Sequence, residues 1–186
     1  MVGKKQPEEK LNNTLLYISN LLNKNNVKNW FIGYGTLLGI IRNNNCIDGD
    51  DDVDIIIEHA NYDILNKLLK ENNIPLIGGD LGDYIKKRNR KFRKTRTGII
   101  KTEETDDYAS IDFYMATIDE KGNFYDVWEN VVWTNCYDTN GKLFERPWKD
   151  TILYIPANPE QKLRNRYGKD WGIRIEGKKW SRAPRI

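Results

Sequence analysis

The segment Phe31 to Glu58, FIGYGTLLGIIRNNNCIDGDDDVDIIIE, decides how this chain is read. Trp30, Phe31 and Ile32 form a short apolar run that reads as a strand. Gly33, Tyr34, Gly35 and Thr36 then turn the chain into an apolar segment, Leu37 to Ile41, that ends on Arg42. After a polar turn at Asn43 to Asn45 come Asp48, Asp50, Asp51, Asp52 and Asp54. The last two lead into Ile55, Ile56 and Ile57, a run suited to a strand buried on both faces.

On a strand, residues two apart share a face, so Asp52 and Asp54 project side by side while Val53 and Ile55 face away. Carboxylates held that close repel, and burying them unpaired is costly. A divalent cation resolves both problems. Mg²⁺, with Mn²⁺ as a substitute, takes hard oxygen ligands and binds through one or two carboxylates plus substrate phosphates. The Gly35-Thr36 turn offers backbone N–H groups and a hydroxyl at a helix start, where phosphate oxygens are favoured. Together these features describe a phosphoryl- or nucleotidyl-transfer site. A calcium-binding EF-hand does not fit. Counted from Asp48, the required Gly is Val53 and the required Glu is His59.

Gly35-Thr36-Leu37-Leu38-Gly39, Arg42, Ile47 and Asp50-Asp51-Asp52-Val53-Asp54-Ile55 resemble the signature of the LicD/fukutin-related phosphotransferases. Where that family usually has Pro-Trp before the aspartates, this chain has Asp48-Gly49. The resemblance implies an α/β (α+β) fold: a single nucleotidyltransferase-type domain with a mixed twisted sheet and flanking helices, packed mainly on one side. It also implies a third carboxylate on a later strand. Some relatives carry a cysteine-bound zinc, but Cys46 and Cys136 form no CxxC pair.

Upstream, Leu11, Leu15, Ile18, Leu21 and Leu22 recur at helical spacing, predicting an amphipathic helix over Glu8 to Leu22. Residues 1–7 are expected to be disordered, 8–175 to form the domain, and 176–186 to be a basic tail. Tyr62, Leu65, Leu68 and Leu69 predict a second helix to Asn72; the lone histidine, His59, is read as a bystander. The run KKRNRKFRKTR, Lys86 to Arg96, is the most basic stretch. It fits an anionic donor or acceptor better than nucleic acid, although Tyr84 and Phe92 nearby could stack on bases.

Further on, Ser110 to Met115 alternates, putting Ile111, Phe113 and Met115 on one face and Asp112 on the other. An Asp among large apolar strand residues needs a partner, and a cation shared with Asp52 and Asp54 supplies one. The family's third carboxylate occupies a similar strand, which selects Asp112. Tyr125 to Trp133 and Ile152 to Ile155 read as further strands, with Asn140-Gly141 as the hairpin signal between them. Trp128, Trp133 and Trp148 read as packing residues. Pro159 opens a closing helix that Gly168 stops. Its Arg166, Tyr167, Asp170 and Trp171 match the family's closing motif, making Arg166 a substrate-binding candidate.

The 186 residues fit one domain; 39% are hydrophobic and 31% charged, with a formal net charge of +3. The opening MVGKKQPEEK lacks a signal peptide's apolar core, and no run nears about 18 apolar residues. A cytoplasmic enzyme is therefore expected. The resemblance implies transfer of phosphocholine or ribitol phosphate from a CDP-activated donor to a glycan hydroxyl. Asp52 and Asp54, with Asp50 or Asp112, would hold Mg²⁺, and Asp112 would accept a proton. Gly35 and Thr36 would bind donor phosphates; Arg42 would brace the aspartate loop or pair with a phosphate. The competing readings are a nucleotidyltransferase acting on a small molecule or RNA end, and a nucleic-acid-binding module without catalysis.

Overall fold

The structure is a computed structural model that describes residues 4–77, 98–173 and 183–186. The basic run from Lys86 to Arg96, with Tyr84 beside it, lies outside the described residues. The elements run α1 (Glu8–Lys24), β1 (Trp30–Ile32), α2 (Tyr34–Asn43), β2 (Asp52–Glu58), α3 (Tyr62–Glu71), β3 (Gly98–Lys101), β4 (Ser110–Ile118), β5 (Phe124–Asp126), β6 (Val131–Trp133), β7 (Phe144–Trp148), β8 (Thr151–Ile155) and α4 (Pro159–Tyr167). A single 3₁₀ turn, His59–Asn61, joins β2 to α3.

A mixed six-stranded sheet organises the molecule, in the order β1-β2-β4-β5-β6. β1 runs antiparallel to β2, and β2 runs parallel to β4. The nine-residue β4 serves two partners along its other edge: β3 pairs with Asp112 to Met115, and β5 pairs with Ala116 to Ile118. Ile55, Ile56 and Ile57 are wholly buried, as their unbroken apolar run requires of a central strand. The α1 stripe Leu11, Leu15, Ile18 and Leu22 is likewise fully buried. Phe31 meets Phe124 and Trp133 edge-on, with ring centroids 5.0 and 5.2 Å apart, which ties β1 to the β5–β6 hairpin.

Two strand expectations need correction. Tyr125 to Trp133 is a tight hairpin of two short strands, because the chain reverses between Asp126 and Val131. The β7–β8 hairpin turns at Lys149-Asp150, not at Asn140-Gly141. Asn140-Gly141 still forms a turn, capped by Asp138, whose Oδ1 accepts from the Asn140 and Lys142 N–H groups. It joins no paired strands. Lys149 sits at φ 47°, a conformation that its residue type does not advertise.

The disorder expected over residues 1–7 does not hold at Gln6, which is buried. Its N–H donates to the Asp50 carbonyl at 2.8 Å, and its carbonyl accepts from Gly49 N–H at 3.0 Å. Residues 183–186 also dock. Ile186 exchanges backbone hydrogen bonds with Val132 and Thr134, and its side chain is buried. No helix among the described residues is long and apolar enough to cross a membrane.

Candidate active site

The loop that delivers the aspartates is built from both sides. Ile47 to Asp50 closes a turn through Asp50 N–H to Ile47 C=O at 3.0 Å, with Gly49 at φ 83°. That conformation calls for glycine at the third turn position. Asp48 reaches the start of α1, accepting from Glu8 N–H at 3.1 Å. The Asp48-Gly49 pair therefore shapes the turn and anchors it to the N-terminal segment. Asn12 of α1 holds the other end, accepting from Cys46 N–H at 2.9 Å and donating to Asn45 Oδ1 at 3.2 Å.

Asp54 and Asp112 are register partners on the parallel strands β2 and β4, and Lys101 of β3 is the antiparallel partner of Asp112. In-register partners share a face. Lys101, Asp112 and Asp54 thus stand abreast on three neighbouring strands, with Asp52 one step along. The sequence expectation that Asp112 joins the Asp52/Asp54 pair matches this placement. Lys101 Nζ donates to Asp112 Oδ2, while Asp112 Oδ1 is buried with no hydrogen-bond partner among the described residues.

Asp54 is tightly held and 5% exposed. Its Oδ2 accepts from Gly35 N–H at 2.9 Å and Thr36 N–H at 3.4 Å, its own N–H donates to Thr36 Oγ1 at 2.8 Å, and Tyr114 OH donates to Oδ1 at 3.1 Å. Gly35 and Thr36, expected to bind donor phosphates, direct these groups to Asp54. The N-terminal end of α2 thereby stabilises a carboxylate of the chain itself. A Cβ on Gly35 would lie 2.6 Å from Asp50 Oδ2 and 3.3 Å from Asp54 Oδ2, so only glycine lets both acids approach this point. Asp50, Asp51 and Asp52 each bring a carboxylate oxygen to within 4.8 Å of the others. Asp51 was not among the metal candidates; the bend between turn and strand brings it in.

The electrostatics show how unfavourable this cluster is by itself. Burial, then Asp54 and Asp112, push Asp52 up to about 10. Burial, then Asp50 and Asp112, hold Asp54 well above the usual carboxylate range. Burial raises Asp112 against the pull of Lys101, and burial takes Asp50 up to about 6. Mutual repulsion, an orphaned buried oxygen and an all-oxygen donor set fit a hard divalent cation. Asp50, Asp52, Asp54 and Asp112 remain the candidates to hold it, now with Asp51.

Arg42 and Arg166 stand differently. Arg42 is in the last turn of α2, roughly 10 Å along the helix from Gly35. Arg166 lies over the Tyr34 ring at 4.9 Å and donates to Glu129 Oε2 at 3.1 Å. It braces α4 against the β5–β6 turn. Tyr34 opens α2 at φ 36° and donates its OH to Asp126 Oδ2 at 2.5 Å. Asp126, fully buried, also accepts from Trp128 and Glu129 N–H. Burial pushes it up to about 6, against these donors. A cavity of about 220 Å³ lined by Tyr17, Ile74, Pro75, Tyr108 and Ile111, among others, includes none of the clustered aspartates.

The sequence profile of the LicD/FKTN/FKRP nucleotidyltransferase domain matches residues 27–151. No curated protein matches the chain. Among solved structures, the chain is similar to the lincosamide antibiotic adenylyltransferase LnuA with lincomycin bound, at 15% identity and a TM-score of 0.49, covering 86% of this chain and 85% of that one.

Proposed function

The chain belongs to the LicD/FKTN/FKRP nucleotidyltransferase-domain family, and from that premise we propose that it moves a phosphorylated small alcohol, of the phosphocholine or ribitol-phosphate type, from a CDP-activated donor to a glycan hydroxyl. The coarser statement, that it is a transferase, follows from the family. The observation that supports transfer at phosphorus is the alignment of Asp112 with Asp54 across β2 and β4, next to the Asp50–Asp52 oxygens; the choice of donor and acceptor rests on the family.

Asp50, Asp52, Asp54 and Asp112 would hold Mg²⁺ or Mn²⁺, with Asp51 adjoining. When bound, the cation supplies charge neutralisation on the phosphates and the leaving nucleotide. The remaining work falls to the chain. Thr36, Gly35 and Tyr114 fix Asp54 through four hydrogen bonds, so its carboxylate does not reorganise during the reaction. The acceptor oxygen forms a bond to the donor's alcohol-bearing phosphorus as the bond from that phosphorus to the bridging oxygen breaks. CMP departs, and Asp112 takes the hydroxyl proton at Oδ1, the oxygen without a partner.

The test is to incubate the protein with phosphate-labelled CDP-choline or CDP-ribitol, Mg²⁺ and a glycan acceptor, with parallel reactions containing labelled CTP or ATP. Label on the glycan with CMP released is the expected result, lost in Asp52→Asn with the circular dichroism unchanged. Nucleotide from CTP or ATP on the acceptor would replace this reading with nucleotidyl transfer. Salt-sensitive oligonucleotide binding that survives Asp52→Asn, without turnover, would replace it with the nucleic-acid module.

A further inference from the structure

Among the described residues, a cation that the chain carries itself, Lys101, pairs with one of the clustered aspartates. Lys101 and Asp112 are cross-strand partners, so the ammonium is delivered to the carboxylate by sheet register rather than by a loop. Asp112 is 2% exposed at its side chain, whereas Lys101 is 27% exposed. The carboxylate is therefore fixed in the cluster, and the ammonium, on a flexible four-carbon stem, is partly exposed. A divalent ion reaching Asp112 at its unpartnered Oδ1 meets a carboxylate whose other oxygen is already engaged by a positive charge.

We propose that Lys101 is a positioning residue that competes with the divalent cation for Asp112, standing in for the ion whenever none is bound and setting how tightly the ion is held. This rests on the reading of the aspartates as a cation site. It has two consequences for the chain's own residues. With no ion, Lys101 lowers the cost of keeping Asp112 beside Asp52 and Asp54, so the strands can close before metal arrives. With an ion, Lys101 either shares Asp112 or swings outward. In both cases the site binds metal more weakly than its carboxylates alone would allow, because an opposing unit charge a few ångströms away offsets part of their attraction.

The experiment is an Mn²⁺ titration, following the electron paramagnetic resonance signal of the free ion at fixed pH and ionic strength. The proteins are wild type, Lys101→Met, Lys101→Arg, Asp112→Asn and the double variant Lys101→Met/Asp112→Asn. Lys101→Met is expected to bind Mn²⁺ about tenfold more tightly than wild type, and Lys101→Arg within about twofold of it. In the Asp112→Asn background, Lys101→Met should change affinity by less than about twofold, since the carboxylate charge that lysine and ion share is gone.

Unchanged or weaker binding in Lys101→Met overturns the proposal, and so does equal tightening in both backgrounds, which would mean simple repulsion at a distance. A wild type that binds no Mn²⁺ overturns the cation site and this proposal together. Tight wild-type binding with an unmoved Lys101→Met overturns this proposal alone. If Lys101→Met is unstable without metal, the double variant carries the comparison, because it leaves no buried carboxylate without a partner at this rung.

Discussion

At the scale of single residues, the site depends on how close its oxygens are allowed to come. Gly35→Ala puts a methyl group 2.6 Å from Asp50 Oδ2, so one of the two carboxylates must move. We expect turnover to fall by about a hundredfold or more, as displacements near an ångström cost that much in a reacting site. The fold should survive; assay of CMP release beside thermal unfolding checks both halves. Asp54→Asn tests the opposite balance. Burial and its acidic neighbours hold Asp54 far above its usual range, so a neutral side chain of the same shape suits the metal-free fold. Its melting temperature should hold or rise while turnover is lost. A substantial drop in melting temperature would show that the charge stabilises the fold rather than serving the reaction.

At the scale of elements, the sequence was informative wherever function wrote a local pattern. Asp52 and Asp54 before three isoleucines, the apolar stripe of α1, the Pro159-to-Gly168 helix and Asp112 in its alternating strand are each visible in a window of a few residues. What was hidden depends on pairing between distant segments. Nothing near Ile99-Ile100 announces that Lys101 faces Asp112, because register is a property of two strands. Nothing near Tyr34 announces a left-handed start to α2 or a bond to Asp126, ninety-two residues away. The β5–β6 hairpin reads as one strand in the sequence because its turn, Val127 to Asn130, contains Trp128 and lacks glycine.

The Tyr34–Asp126 pair carries its own pH signature. Burial raises Asp126 to about 6 in the fold, against an ordinary value near 3.9 when unfolded. The folded state therefore binds the proton more tightly. Its contribution to stability is fully present below about pH 4 and is lost as pH rises through about 6, a span of roughly 3 kcal/mol. Asp126→Asn should reduce the dependence of denaturant stability on pH between about 4 and 7 by its own share, leaving that of Asp50 and its neighbours, whatever constant offset the lost Tyr34 contact adds. An unchanged slope would mean that Asp126 is not the group responsible.

Across the whole molecule, proton and metal are linked. Burial and mutual repulsion raise Asp52 and Asp54, so both favour the protonated form more than ordinary carboxyls do when no ion is present. Binding of Mg²⁺ or Mn²⁺ should release protons, and apparent affinity should rise with pH. Calorimetry in buffers of different ionisation enthalpy reads the release directly; heats independent of the buffer would contradict it. The melting temperature should climb with ion concentration by mass action.

The parallel pairing of β2 with β4 has a kinetic side. A strand starting at Asp52 and one starting at Ser110 meet only after the chain between them has closed on itself, and such distant contacts form slowly. Until then Asp112 is far from the Asp50–Asp54 run and indifferent to it. Asp112 is brought to that acidic run only as the central strands join, so the joining of β2 to β4 is the step that an acidic buffer or a dissolved divalent salt should hasten.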